Sequence, residues 1–129
     1  MEIRKSSEDY LEMMLMLQEK HGYVRSIDIA EELHVKKPSV SVAVKRLREN
    51  GYITMAEDNL ITLTDKGMEI ASHMYNRHKV LTKLLVDLGV DVETARTDAC
   101  KIEHDLSEKS FEAIQEYLEE IERTEKKQR

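Results

Sequence analysis

The chain has 129 residues, enough for one domain or for one small domain with an appended subdomain, and too few for a multidomain enzyme. Its formal charge is −6 with 36% charged residues, so no global basic surplus advertises nucleic-acid binding, and such a function must show in how the charge is distributed. A single cysteine excludes a disulfide framework and suits a reducing compartment. No apolar run approaches the roughly 18 residues of a membrane span, and Met1-Glu2-Ile3-Arg4-Lys5 opens no signal-peptide core, so a soluble cytoplasmic protein is expected.

One proline and four glycines predict a largely helical chain without repeats or low-complexity linkers. Ser7 can cap a helix over about 7–21, whose Tyr10, Met13, Met14 and Leu17 recur at helical spacing until Gly22 stops it. Asp9 and Glu12 flank that stripe; by themselves they read as acids on a solvated helix edge, in the first turn where the macrodipole favours them. Ser26 precedes Ile27, Ile29, Ala30 and Leu33, a helix of about two turns. After a short link through Val35, a second helix opens with Pro38 and runs to Asn50-Gly51.

Two short helices joined by a tight turn form the helix-turn-helix pattern. Val40, Ala43, Val44 and Leu47 make the inward face of the second helix and leave Lys37, Ser39, Ser41, Val42, Lys45 and Arg46 on the outer half. Lys36, Lys37, Lys45, Arg46 and Arg48 place five positive charges within thirteen residues that contain no acid, the local footprint that phosphate binding requires. A merely solvated cationic face does not explain small hydroxyls and an outward valine. Lys36, Lys37, Ser39, Ser41, Val42, Lys45 and Arg46 are therefore the expected contacts to double-stranded DNA. Tyr52–Met55 and Leu60–Leu63 have strand composition around the turn signal Glu57-Asp58-Asn59, which predicts a two-stranded wing with an acidic tip that would repel phosphate.

Thr64 then caps a long helix, 64–88, ended by Gly89, with Met68, Ala71, Tyr75, His78, Leu81 and Leu85 on one apolar face. A lone histidine in such a face is more often a core residue than a ligand, and His73 reads as a surface residue. A helix over 91–106 follows, with the stripe Ala95, Ala99, Ile102 and Leu106. Within it, Cys100-Lys101-Ile102-Glu103-His104 sets a thiol, a carboxylate and an imidazole at i, i+3 and i+4, on one face. A helical wheel puts Glu103 beside the centre of that stripe, with Cys100 and His104 along its edge, so the carboxylate is expected to be at least partly desolvated and to need a positive partner. A divalent cation would satisfy all three groups. A small buried cysteine beside a solvated acid and an exposed histidine fits the segment equally well. Ser107 starts a last helix whose Phe111, Ile114, Leu118 and Ile121 make a further apolar stripe, and Lys126-Lys127-Gln128-Arg129 reads as a frayed tail.

In this order of elements the chain resembles the diphtheria-toxin repressor and manganese-transport regulator family of metal-dependent repressors, over nearly its whole length. The resemblance is carried by Asp9-Tyr10-Leu11-Glu12, by Asp28-Ile29-Ala30-Glu31 with Pro38-Ser39-Val40-Ser41, by Leu63-Thr64-Asp65-Lys66-Gly67, by Arg77-His78, and by Ala99-Cys100-Lys101-Ile102-Glu103-His104. It implies that Asp9, Glu12, His78, Cys100, Glu103 and His104 converge as metal ligands. Manganese-responsive members resemble this chain in the Asp9 and Glu12 pair but carry a glutamate where Cys100 stands. Iron-responsive members have a cysteine there and usually a methionine where Asp9 stands. The positions of the iron-type ancillary site are Thr82 and Arg96 here, which speaks against that site, and the chain ends before the SH3-like domain of longer members, as in the short manganese-regulator type.

The expected fold is mainly α: a winged helix-turn-helix DNA-binding domain (1–63), a linking helix (64–88) and a helical metal-binding and dimerisation domain (89–129). The expected function is a non-enzymatic, divalent-metal-dependent transcriptional repressor of manganese or iron homeostasis. Mn²⁺ or Fe²⁺ would be the cofactor, with Co²⁺ and Zn²⁺ possible in vitro. The expected homodimer forms through Phe111, Ile114, Leu118 and Ile121, with no membrane partner and no small organic substrate. Metal shared between the first helix and the 100–104 segment would tie the two parts into one orientation, coupling metal and operator binding reciprocally. Two alternatives stand beside this. One is a metal-free winged-helix protein with a structural Cys, Glu and His. The other is a small metallohydrolase, which would leave the basic helix unexplained and for which no substrate pocket or independent general base is readable.

Overall fold

The computed structural model describes residues 5–127, which run α1 (Lys5–His21), α2 (Ser26–Leu33), α3 (Lys37–Glu49), β1 (Ile53–Met55), β2 (Ile61–Leu63), α4 (Asp65–Asp87), α5 (Val92–Ile102) and α6 (Glu108–Lys127). The readings placed on Met1–Arg4 and on Gln128 and Arg129 lie outside the described residues. Lys126 and Lys127, expected in a frayed tail, belong instead to the last turn of α6. The chain divides into two compact units, residues 1–75 and 76–129, with the division inside α4.

The first unit is a winged helix-turn-helix. Leu11, Met14 and Leu17 of α1, Ile29 of α2 and Val40, Val44 and Leu47 of α3 are buried in one core, completed by Tyr52, Ile53, Ile61 and Leu63 from the wing. The turn between α2 and α3 is set by His34, which adopts the left-handed conformation at the helix end (φ 55°), while the Val35 N–H closes back on the Ala30 carbonyl at 3.1 Å. β1 and β2 pair antiparallel in the register Ile53 with Leu63 and Met55 with Ile61. Their tip turns on Asn59 at positive φ.

The segment Thr64-Asp65-Lys66-Gly67 bolts the start of α4 to the end of α3. The Thr64 hydroxyl donates to the Gly51 carbonyl (2.7 Å) and accepts from the Gly67 N–H (3.2 Å), so it caps α4, as expected, and ties it down in the same stroke. Lys66 Nζ donates to the Asn50 carbonyl (3.2 Å), and the Thr64 N–H to the Tyr52 carbonyl (3.1 Å). Gly67 is required because a Cβ there would overlap that Tyr52 oxygen.

The second unit holds the rest of α4 with α5 and α6, and buries Leu81, Ala95, Ala99, Phe111 and Leu118. Asp91 caps α5 by accepting from the Thr94 N–H (3.0 Å), and Ser107 caps α6 by accepting from the Ser110 N–H (3.1 Å). α5 ends at Ile102, four residues short of the expected 106. The Asp105 and Leu106 N–H groups both turn back to the Ile102 carbonyl, and the Glu103 and Leu106 carbonyls are taken by a side chain, so the chain can leave the helix without stranding polar backbone. Ile102, expected in the apolar stripe, is exposed; Glu103 takes the buried position in line with Ala95 and Ala99, at i, i+4 and i+8. Among the described residues no helix is long and apolar enough to cross a membrane.

Candidate metal centre and nucleic-acid interface

In the second unit, Glu103 is fully buried, with 0% of its surface exposed. His78 Nδ1, from α4, lies 3.1 Å from its Oε2, and His104 Nε2 lies 3.5 Å from its Oε1. This reverses the plainer reading of the Cys-x-x-Glu-His segment. The acid is buried rather than solvated, the imidazole of His104 is nearly buried, and Cys100 is exposed. His78, in turn, is drawn from the apolar face of α4 to a carboxylate. A carboxylate out of water is stable as an anion only beside positive charge or hydrogen-bond donors. One carboxylate flanked by two imidazoles is a donor set that fits a divalent manganese, iron or zinc ion.

In the first unit, Asp9 and Glu12 stand on α1, with Asp9 half-buried and Glu12 only 5% exposed. Glu12 is therefore not an acid on a solvated helix edge. Near it, burial pushes the Tyr75 hydroxyl above its ordinary pKa, helped by its hydrogen bond to Glu19 and by the charges of Glu19 and Glu12. Among the described residues the buried charged side chains are Glu12, Arg77 and Glu103. Glu12 and Glu103 are both among the residues that the family resemblance implies as ligands.

Arg77 is a buried charged residue whose contacts composition and spacing did not reveal. Its Nη1 donates to the Glu103 carbonyl (2.9 Å) and the Leu106 carbonyl (2.6 Å), and its Nη2 to Glu108 Oε2 (2.9 Å). Its guanidinium carbon lies 5.1 Å from the centre of the Phe111 ring. An arginine one residue before a histidine on an apolar helix face was the available signal, since a guanidinium there must find carbonyls or carboxylates.

On α3, Val40, Val44 and Leu47 are buried, while Lys36, Lys37, Ser39, Ser41, Val42, Lys45 and Arg46 are all exposed, as the helical spacing required. Arg48 is exposed with them. A groove of about 580 Å³ opens beside this face, lined in part by Arg25, Ser26, Ser41, Lys45 and Arg48, with Asp58 and Asn59 of the wing tip at its edge. Arg25 belongs partly to Asp28: Nε and Nη2 donate to its two oxygens (3.1 and 3.2 Å), which holds the Asp28 carboxyl below its ordinary value.

Of the expected dimer stripe, Phe111 and Leu118 are 3% and 5% exposed within the single chain, where they belong to its own core. The Arg77 guanidinium covering Phe111 is part of the reason. What α6 leaves accessible is a neighbouring face, with Ile114 and Ile121 half-buried and Tyr117 exposed between them at helical spacing.

Two family descriptions match the chain: "Iron dependent repressor, N-terminal DNA binding domain" over residues 2–59, and "Iron dependent repressor, metal binding and dimerisation domain" over residues 64–129. An HTH-type transcriptional regulator of Methanocaldococcus jannaschii is 36% identical over 117 residues, covering 89% of this chain and 94% of that protein. The regulator MntR of Bacillus subtilis is 39% identical over 109 residues, 84% of this chain and 77% of its own length. Among solved structures, a manganese-dependent transcriptional repressor in complex with manganese superposes with a TM-score of 0.80 at 29% identity; 87% of this chain is covered, but only 52% of that one, so the likeness spans about half of the longer protein. The chain belongs to the iron-dependent repressor family of metal-dependent transcriptional regulators.

Proposed function

We propose that the chain acts in the cytoplasm as a homodimeric repressor whose grip on a double-stranded operator is set by Mn²⁺ or Fe²⁺, in the service of manganese or iron homeostasis. The observation that carries this reading is the buried Glu103 carboxylate between His78 and His104, in a chain whose outer α3 face is basic and open. Residues 1–63 read DNA, 64–88 link, and 89–129 bind metal and dimerise. The ligand set is Asp9, Glu12, His78, Cys100, Glu103 and His104.

A bound divalent cation supplies the positive charge that this set of acids and imidazoles requires. The protein's own residues do the rest. Glu103 holds its carboxylate out of water, His78 and His104 aim ring nitrogens at it, and Lys36, Lys37, Lys45 and Arg46 attract phosphate while Ser39, Ser41 and Val42 face base edges. Because metal favours the operator-competent state, operator must favour metal by the same factor. The homodimer uses the accessible α6 face at Ile114, Tyr117 and Ile121.

The test is selection of duplexes from a random library on immobilised protein with MnCl₂, followed by release with EDTA. Retention of a defined sequence with manganese and its loss with chelator support the reading. Equal retention in EDTA returns the metal-free winged-helix alternative. Cysteine ligation is read separately: Co²⁺ should give a near-ultraviolet sulfur-to-metal band that disappears in Cys100→Ser. Cobalt binding without that band removes Cys100 from the set.

A further inference from the structure

We propose that Arg77 is a positioning residue for the metal site, one that fixes the turn carrying Glu103 and His104 from behind. This rests on the metal reading above. The inference starts from a buried cation with an uncommon set of duties. Arg77 is 6% exposed, yet of its three hydrogen-bond acceptors two are main-chain carbonyls, those of Glu103 and Leu106, and they bracket the turn that follows α5. That turn contains both His104 and the buried Glu103 carboxylate.

Glu103 is consequently held at both ends by adjacent residues of α4. Arg77 takes its carbonyl at 2.9 Å, and His78 meets its side chain at 3.1 Å. One helical step thus couples where the Glu103 backbone sits to where its carboxylate meets an imidazole. The third bond, to Glu108 at 2.9 Å, and the Phe111 ring under the guanidinium orient the fork against the first turn of α6. The planar fork matters. A lysine would keep the charge but could not reach two carbonyls and a carboxylate in fixed directions. Groups that orient ligands from outside commonly change metal affinity by about 10- to 100-fold when altered.

The experiment compares wild type, Arg77→Lys and Glu108→Gln by three measurements: metal-free thermal melting, Mn²⁺ affinity from the electron paramagnetic resonance signal of free manganese, and the visible ligand-field spectrum of the protein saturated with Co²⁺. Arg77→Lys is expected to melt cooperatively without metal, to bind Mn²⁺ about 10- to 100-fold more weakly, and to shift the cobalt bands. Glu108→Gln, on a side chain 55% exposed, leaves both carbonyl bonds in place and is expected to melt like wild type while binding Mn²⁺ about two- to fivefold more weakly. If Arg77→Lys does not fold, Glu108→Gln decides alone. Wild-type manganese affinity and cobalt spectrum in the folded variants overturn the positioning role while leaving the metal reading intact. A wild-type protein that binds neither ion overturns both.

Discussion

Glu103 shows how one residue's burial changes the chemistry of its neighbours. A glutamate with no exposed surface, facing His78 and His104, costs stability unless something positive stays beside it. Glu103→Gln keeps the shape and removes the charge. The metal-free variant is therefore expected to melt at or above the wild-type temperature, and the rise in melting temperature that manganese gives the wild type should vanish; calorimetry with and without MnCl₂ checks both. Gly67 is the opposite case, a residue needed for what it lacks. Since a Cβ at this position would overlap the Tyr52 carbonyl, Gly67→Ala should destabilise the protein by about 1–3 kcal/mol in urea unfolding, whereas an alanine at an ordinary helix position would be neutral or better.

Elements bring their own tests. For α3, each of Lys45→Ala and Arg46→Ala should weaken operator binding for all sequences alike and lower the slope of log affinity against log salt by about 1. Val42→Ser should instead alter sequence preference, as expected if its methyl groups meet a thymine. Unchanged affinity in both basic variants would move recognition off this helix. For α5, the Asp91 cap has a pH signature. The Thr94 N–H holds its carboxyl below the ordinary 3.8, so the folded state favours the ionised form. Its contribution is complete above that value and is lost as the pH falls through the lower, folded-state value. Asp91→Asn, which can still cap but does not titrate, should make the melting temperature fall less steeply below about pH 4 than in the wild type.

At the scale of the whole molecule, a net charge of −6 coexists with an acid-free basic stretch on α3, so any attraction for DNA phosphate is local to that face. Self-association is expected through the accessible α6 face. Tyr117→Glu with Ile121→Glu should give a folded monomer in sedimentation, with weakened operator binding. Leu118→Asp should lose folding altogether, because Leu118 lies in the chain's own core. A folded Leu118→Asp monomer would contradict that division of α6.

Much of this was legible in the sequence because it rests on local rules. Helical spacing, Thr64 and Ser107 as caps and glycines as stops reproduce the element order, and the outward side of α3 follows from Val40, Val44 and Leu47 alone. The donor residues in the Cys-x-x-Glu-His segment also stand in the sequence, and the helical wheel already places the Glu103 carboxylate partly out of water; that His104 is nearly buried and Cys100 exposed does not follow from it. Periodicity put Ile102 in the apolar stripe and Glu103 beside its centre; the structure buries Glu103 fully but exposes Ile102, because α5 stops at Ile102 and Arg77, 26 residues away from Glu103, takes the carbonyls of the turn that follows. Phe111 and Leu118 have the spacing of an interface and of a core alike. Only tertiary contact decides between those, since a helical stripe records that a face must be covered and not what covers it.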